Sequence, residues 1–358
     1  MSKSRRRGAP PARRARSWMA ATQPGLGELA ADDLRKHGCA VEGVENDGRS
    51  DLVVFSSVEL PPPGKLTLVE DLFVIVGQAA TGTEPRRVTA RLFNADDWLA
   101  GAEIAKSYGV RVTAATGFRV IARVRSERAF KRTELRSAVI EMVQRWRPRW
   151  RVQDPADLEI WVLESRNGHF RASMRLSTAA MRSRGGRAVE FAGALRPTVA
   201  AALVRATGTP TGLLIDPFCG SGTVVGEARQ AGWTVFGSDA DPAAVQTARV
   251  NEPGVEIVVA NSDDLPVADA AAVAVATNPP FGFQHEPRTL GRPLEEWWRA
   301  NLAEFARVVQ SGGRVVLLHP NDELLAAAVR STPVLREEGR MSIRTLGQQA
   351  AIWTLRRC

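Results

Sequence analysis

The chain has 358 residues, 44% of them hydrophobic and 24% charged, with a net charge of +9. That length exceeds one ordinary core, so two or three domains are expected, and no run reaches the roughly 18 apolar residues of a membrane span. Cys39, Cys219 and Cys358 are odd in number, far apart and without metal-ligand spacing, which argues against a disulfide framework and fits a reducing cytoplasm.

The opening "MSKSRRRGAPPARRARSW" carries +7 over residues 1–16 and no apolar signal core. It reads as a disordered cationic arm over residues 1–17 rather than a secretory peptide. Residues 1–190 hold 33 Lys/Arg against 22 Asp/Glu, and residues 191–358 hold 15 against 17. The imbalance suggests a polyanion-binding front half. Arg outnumbers Lys 43 to 5, however, so compositional bias is the competing explanation.

Next, "TQPGLGELAADDLRKHG" predicts a helix from about Glu28 to Lys36, stopped at Gly38. A strand "DLVVFSS" (51–57) and the break "LPPPGK" (60–65) follow. The stretch "TLVEDLFVIVGQ" (67–78) is expected to be helical, as are "ADDWLAGAEIAKSYG" and "KRTELRSAVIEMVQRWR", on either side of a strand at 117–124. "DLEIWVLES" and "HFRASMRLS" form a hairpin about Asn167-Gly168. "SRGGR" (183–187) is a linker. In "QRWRPRWRVQ" (144–153), Trp146 and Trp150 interleave with arginines; they either stack on a nucleic-acid end or close the helix onto its own domain.

From about residue 190 strands and helices alternate, which predicts a parallel, doubly wound α/β sheet. The last strand, "QAAIWTLR", lacks room for a crossover and is expected to pair antiparallel. Four consecutive strand ends carry polar or glycine-rich groups. The first is "IDPFCGSGT", in which Gly220 and Gly222 allow close backbone approach to a ligand and Asp216 supplies an acceptor. Neither a dinucleotide fingerprint nor a P-loop fits it. The second end carries Asp239, placed to accept two ribose hydroxyls, although Asp239 or Asp241 could instead cap the next helix. The third carries Asn261 and Ser262. The fourth is Asn278-Pro279-Pro280-Phe281, a stiff platform with exposed carbonyls and a ring, or else an ordinary strand exit.

Taken together, "DPFCGSGT", "GSDAD", "ANSDDLP" and "TNPPFG" resemble the class I S-adenosylmethionine-dependent methyltransferases that act on amino groups. "GALRPTVAAALVRATG" and "TQPGLGELAADDLRKHG" are similar to the THUMP-containing subgroup that methylates guanine N2 in tRNA. The resemblance implies a ferredoxin-like part at 18–64, a THUMP RNA-binding domain at 65–182, a linker at 183–194 and a Rossmann-like methyltransferase domain at 195–358. It places Asp216, Phe218, Gly220, Ser221, Gly222, Thr223 and Thr198 about the methionine part of S-adenosyl-L-methionine, and Asp239 on its ribose. Asn261 and Ser262 would meet the adenine edge, where the family usually has Gly-Asp-Ala in place of Ala260-Asn261-Ser262. Asn278, Pro279 and Phe281 become catalytic: the Asn278 side-chain oxygen and the Pro279 carbonyl accept the amine hydrogens, and Phe281 stacks on the base. The expected enzyme is a cytoplasmic monomer with tRNA as partner and no metal. Methylation of guanine N2 in ribosomal RNA, or of adenine N6, is the alternative. His37, His169, His285 and His319 form no ligand pattern, and Cys219 is read as a small packed residue.

Overall fold

The computed structural model describes residues 15–79, 82–178, 195–280, 291–320, 323–345 and 347–358. Residues 1–14 of the expected arm, the linker at 183–194 and Phe281 lie outside them. The front half runs β1 (Arg16–Thr22), α1 (Gly27–Lys36), β2 (Ala40–Asn46), β3 (Asp51–Ser57), β4 (Asp71–Ala79), α2 (Pro85–Leu92), α3 (Ala95–Ser107), β5 (Gly117–Arg123), α4 (Arg132–Trp146), β6 (Arg151–Val152), β7 (Leu158–Glu164) and β8 (Phe170–Arg175). These strands form one sheet in the order β2-β3-β1-β4-β8-β7-β5-β6. It runs across the expected boundary at residue 64, because β1 pairs antiparallel with both β3 and β4.

Two expectations are corrected here. Residues 71–79 form a strand, not a helix, pairing with β1 (Trp18 opposite Val74) and β8 (Phe73 opposite Arg175). Leu72, Val74 and Val76 enter the main core while Phe73 enters a second cluster on the other face. A strand buried on both faces reads as a continuous apolar run, which periodicity alone does not separate from a buried helix. The arm also ends earlier than expected, since Arg16 and Ser17 already belong to β1, opposite Ser57 and Ser56.

The aromatic–arginine stretch takes its structural alternative. Trp150 is buried and its indole N–H donates to the Thr113 carbonyl at 3.1 Å. Trp146 packs edge-on against Trp98 and Trp150, with the Arg147 guanidinium over its ring. These rings close α4 onto its own domain.

The back half contains α5 (Pro197–Ala206), β9 (Leu213–Asp216), α6 (Thr223–Gln230), β10 (Thr234–Asp239), α7 (Pro242–Asn251), β11 (Glu256–Val259), β12 (Ala272–Thr277), α8 (Leu294–Val308), β13 (Val309–His319), α9 (Glu323–Arg330), β14 (Leu335–Thr345) and β15 (Gln348–Arg357). Its sheet order is β11-β10-β9-β12-β13-β15-β14. The adjacent pairs from β11 through β10, β9 and β12 to β13 are parallel, and β15 runs antiparallel to both β13 and β14, as the short last connection requires. The order reverses between β9 and β12, and such a switch point opens a crevice beyond the carboxyl ends of the strands.

Helix α5 joins the halves. Residues Thr198 to Val204 are all buried, and the helix shares one apolar cluster with Ala30 and Leu34 of α1 and with Ala274 and Val316 of the back sheet. A helix apolar all round must be covered on every side. Polar contacts frame it: Thr198 donates to Glu70 at 3.0 Å, Gln23 donates to the same Glu70 oxygen at 2.7 Å, and Arg205 pairs with Asp33. Nearby, the Arg344 N–H donates to the Pro24 carbonyl at 2.8 Å. Gly25 adopts φ +97, and a Cβ there would stand 2.2 Å from the Ser342 carbonyl oxygen, so this approach requires glycine.

Candidate active site

The carboxyl edge of the back sheet collects most of the residues singled out in the sequence. Asp216 ends β9, and its carboxylate accepts the Thr277 hydroxyl at 2.7 Å and the Phe218 N–H at 3.2 Å. It is almost wholly buried. Burial pushes its pKa up to about 7; the bonds from Thr277 and Phe218 oppose the rise, and the neighbouring Asp239 charge adds to it. Thr277, which the sequence reading passed over, therefore ties β9 to β12 one residue before Asn278. Its signal was a hydroxyl residue closing an Ala/Val run directly before the Asn-Pro-Pro sequence.

The glycine-rich turn is held from several directions. The Cys219 N–H donates to the Ser238 carbonyl at 2.9 Å, the Gly222 N–H to the Cys219 carbonyl at 2.7 Å, and the Asn251 amide to the Ser221 carbonyl at 2.9 Å. Gly222 has φ +88 and opens α6, packed so closely that a Cβ would lie 3.3 Å from Glu252 Cγ. Cys219 is buried and its thiol pKa is raised, first by burial and then by the Asp216 and Asp239 charges, which opposes a nucleophilic thiolate. Thr223 begins α6, and Phe218 packs against Trp297 at 5.7 Å between ring centroids.

The two acidic residues after β10 divide the roles left open by the sequence. Asp241 caps α7 by accepting the Ala243 N–H at 3.0 Å. Asp239 instead faces the glycine-rich turn and accepts the Gly220 N–H at 3.0 Å, while its other oxygen accepts the Asp241 N–H at 3.0 Å.

Beyond β12, Asn278 is half-buried, and its side-chain oxygen is shielded from water without a hydrogen-bond partner among the described residues. Ser221 and Ser238 hold buried hydroxyls in the same condition. Unsatisfied buried polar atoms are costly and uncommon, and these three, at or beside the ends of β9, β10 and β12, fit a ligand that completes their bonding. Pro279 is buried next to Asn278. Asn261 and Ser262 follow the outer strand β11, the first exposed and the second buried. Thr198 stands apart from the turn in its bonding, since its hydroxyl is directed to Glu70 of the front half.

Among the described residues there is no group of three or more His, Cys, Asp or Glu able to hold a metal, and no helix is long and apolar enough to cross a membrane.

Comparison with known proteins follows this geometry. Residues 184–349 match the family described as UPF0020: RMKL-like, methyltransferase domain. A tRNA (guanine(10)-N2)-dimethyltransferase of Methanothermobacter thermautotrophicus is 29% identical over 137 residues, which span 37% of this chain and 40% of that protein. Among solved structures, TrmN from Thermus thermophilus superposes with a TM-score of 0.76 at 22% identity, over 96% of this chain and 100% of that one. A possible methylase from Clostridium difficile 630 gives 0.70 at 14% identity, covering 96% and 99%. A predicted N6-adenine-specific DNA methylase from Listeria monocytogenes gives 0.66 at 14% identity, covering 95% and 96%. These likenesses extend over both halves and establish the fold. The match to a methyltransferase domain model thus falls on the back half, whose parallel sheet ends in the antiparallel β15 and β14, and the solved neighbours share the fold of both halves.

Proposed function

We propose that this protein transfers a methyl group from S-adenosyl-L-methionine to the exocyclic N2 amine of a guanosine in tRNA, as a monomer in the cytoplasm. The observation that carries the reading is the Asn278 oxygen at the switch-point edge, shielded from water and without a partner among the described residues, one residue beyond the Thr277–Asp216 bond. An acceptor held in that state suits an amine N–H and leaves little reason for a plain strand exit.

The residues present fit the cofactor. Asp239 is fixed by two backbone N–H groups beside the glycine-rich turn, where its carboxylate would meet the ribose hydroxyls. Nothing lies within 4 Å of the position a Gly220 Cβ would occupy, so the turn is open to a ligand on that side. When bound, the cofactor supplies an electrophilic methyl group on a sulfonium. Asn278 and the Pro279 carbonyl then each accept one amine hydrogen. Together they orient a nitrogen whose lone pair is delocalised into the base and favour the positive charge that develops on it. Phe281 stacks on the base, which enters unpaired or flipped, and Thr198 and Ser262 complete the ends of the cofactor site. The front half, read as a THUMP domain with its ferredoxin-like part, grips the RNA.

Guanine and tRNA rest on the resemblance and on the name of the archaeal relative, whereas the Listeria neighbour's name points to adenine N6 in DNA. The test is methyl transfer from labelled cofactor to total tRNA, followed by nucleoside analysis. N2-methylguanosine is expected. A label at adenine N6 or confined to ribosomal RNA refutes the substrate assignment, and no incorporation despite tight cofactor and RNA binding refutes the enzyme.

A further inference from the structure

The connection between β11 and β12 has no helix of its own among residues 260–271, yet it is bound to α8 at Leu265, Val267, Asp269 and Ala270. Arg307 spends all five of its guanidinium N–H groups there. Nε donates to Glu304 at 2.8 Å, and one terminal nitrogen donates to the Val267 carbonyl at 2.8 Å and to Asp269 at 2.6 Å. The other donates to the Leu265 carbonyl at 3.1 Å and to the second Glu304 oxygen at 2.7 Å. That same Glu304 oxygen accepts the Leu265 N–H at 2.7 Å. The Arg307 carbonyl accepts the Ala270 N–H at 2.8 Å. Above this clasp the Asp264 N–H donates to the Asn261 carbonyl at 3.1 Å, and Arg292 pairs with Asp263.

Glu304 is buried, and no step proposed for the reaction uses it. Its hydrogen bond from Arg307 holds its carboxyl below the ordinary carboxylate range against the opposing effect of burial. Fixing a loop of this length costs conformational entropy, and a buried ion pair is weak evidence for stability as such. Of these bonds, the two at Leu265 hold the last residue of the turn that begins with Asn261 and Ser262.

We infer that Glu304 and Arg307 are positioning residues for the adenine side of the cofactor site: they set the height of the Asn261–Leu265 turn and so the selectivity for a 6-amino purine. The inference rests on the proposed cofactor. No proton or charge moves through the pair; its effect is geometric. An Asn261 side-chain oxygen turned to the base would accept an amine hydrogen, and the same atom would oppose the oxygen of a 6-oxo purine.

The experiment compares binding of S-adenosylhomocysteine and S-inosylhomocysteine by calorimetry to the wild type, E304A, E304Q, R307K and a control, R314A, whose side chain pairs with Glu338 far from the turn. In the wild type the adenine form binds more tightly. E304A and R307K are expected to weaken that form by about three- to tenfold, as for loss of one or two hydrogen bonds. They leave the inosine form nearly unchanged, so the preference shrinks. Turnover at saturating cofactor stays within about twofold, so the loss appears in KM. E304Q keeps an acceptor for Leu265 and recovers most of the preference, and R314A keeps all of it. If E304A does not fold, R307K and E304Q decide. An unchanged preference in folded variants overturns the inference alone. No binding of S-adenosylhomocysteine by the wild type overturns the cofactor reading itself.

Discussion

In the front sheet, Arg128, Arg171 and Arg175 end in partly buried ion pairs with Glu164, Glu45, Asp71 and Glu159. At the carboxyl edge of the back sheet, Ser221, Ser238 and Asn278 hold buried polar atoms with no partner among the described residues. The front sheet thus satisfies much of its charge internally, while the carboxyl edge of the back sheet leaves bonding capacity unspent. Net charge alone suggested the reverse emphasis. Arginines consumed in the sheet act on stability, and only those left in water, such as Arg149, remain for phosphates. A charge surplus therefore overstates a nucleic-acid surface wherever arginines are drawn into ion pairs within a fold.

The sharpest way to break this contrast is at Glu164. Its carboxylate accepts the Arg125 N–H at 2.8 Å, the Ser126 N–H at 3.2 Å, the Ser126 hydroxyl and Arg128. Burial raises its pKa, but these bonds outweigh burial and hold it below the ordinary carboxylate value. Glu164→Ala should lose about 3–5 kcal/mol in chemical denaturation, because it strands a buried guanidinium. With a depressed pKa, the stabilisation Glu164 gives is present above its unfolded value and lost as pH falls through the folded one. A loss below 1 kcal/mol would place the pair among ordinary surface contacts.

Asn278→Ala addresses the other side of the comparison. Turnover should fall by about 100- to 1,000-fold, with cofactor affinity within twofold, because the lost acceptor acts on the substrate amine. Equal losses in both would move Asn278 from the platform to the cofactor.

Asp216→Asn should stabilise the protein at pH 8 by roughly 4 kcal/mol relative to its effect at pH 4. The folded pKa of about 7 lies above the unfolded value, so the folded state holds the extra proton and stability declines as pH rises between the two. The substitution removes that decline, and Asn still accepts the Thr277 hydroxyl. A parallel pH profile in both proteins would show Asp216 to be ionised throughout.

The smallest effect is expected at Arg149. Arg149→Ala should leave stability within about 0.5 kcal/mol and lower the salt slope of tRNA affinity by about 1. An unchanged slope would mean that this cation touches no phosphate.

Much of the back half's architecture was legible in the sequence because the candidate site residues lie where strands end, and each motif includes the turn that ends its strand. Asp216, Asp239 and Asn278 share an edge for that reason. What was not legible depended on a second element. The strand at 71–79 was misread because only its partners reveal burial on both faces. Trp146 and Trp150 remained open until Trp98, 48 positions before Trp146, closed the cluster. Asp239 and Asp241 were equivalent as caps until Gly220 appeared beside one of them. Glu304 and Arg307 look like an ordinary helical pair in sequence, and their work is visible only against a loop some 40 residues earlier.

Helix α5 also bears on the order in which the chain is made. The front-half residues that share an apolar cluster with α5, Ala30 and Leu34 among them, emerge from the ribosome well before α5 does. Until about two hundred residues have been synthesised, the front half carries an uncovered apolar face, the kind of surface on which nascent chains associate wrongly. The newborn amino-terminal half is thus left waiting for a helix that its own messenger has yet to encode.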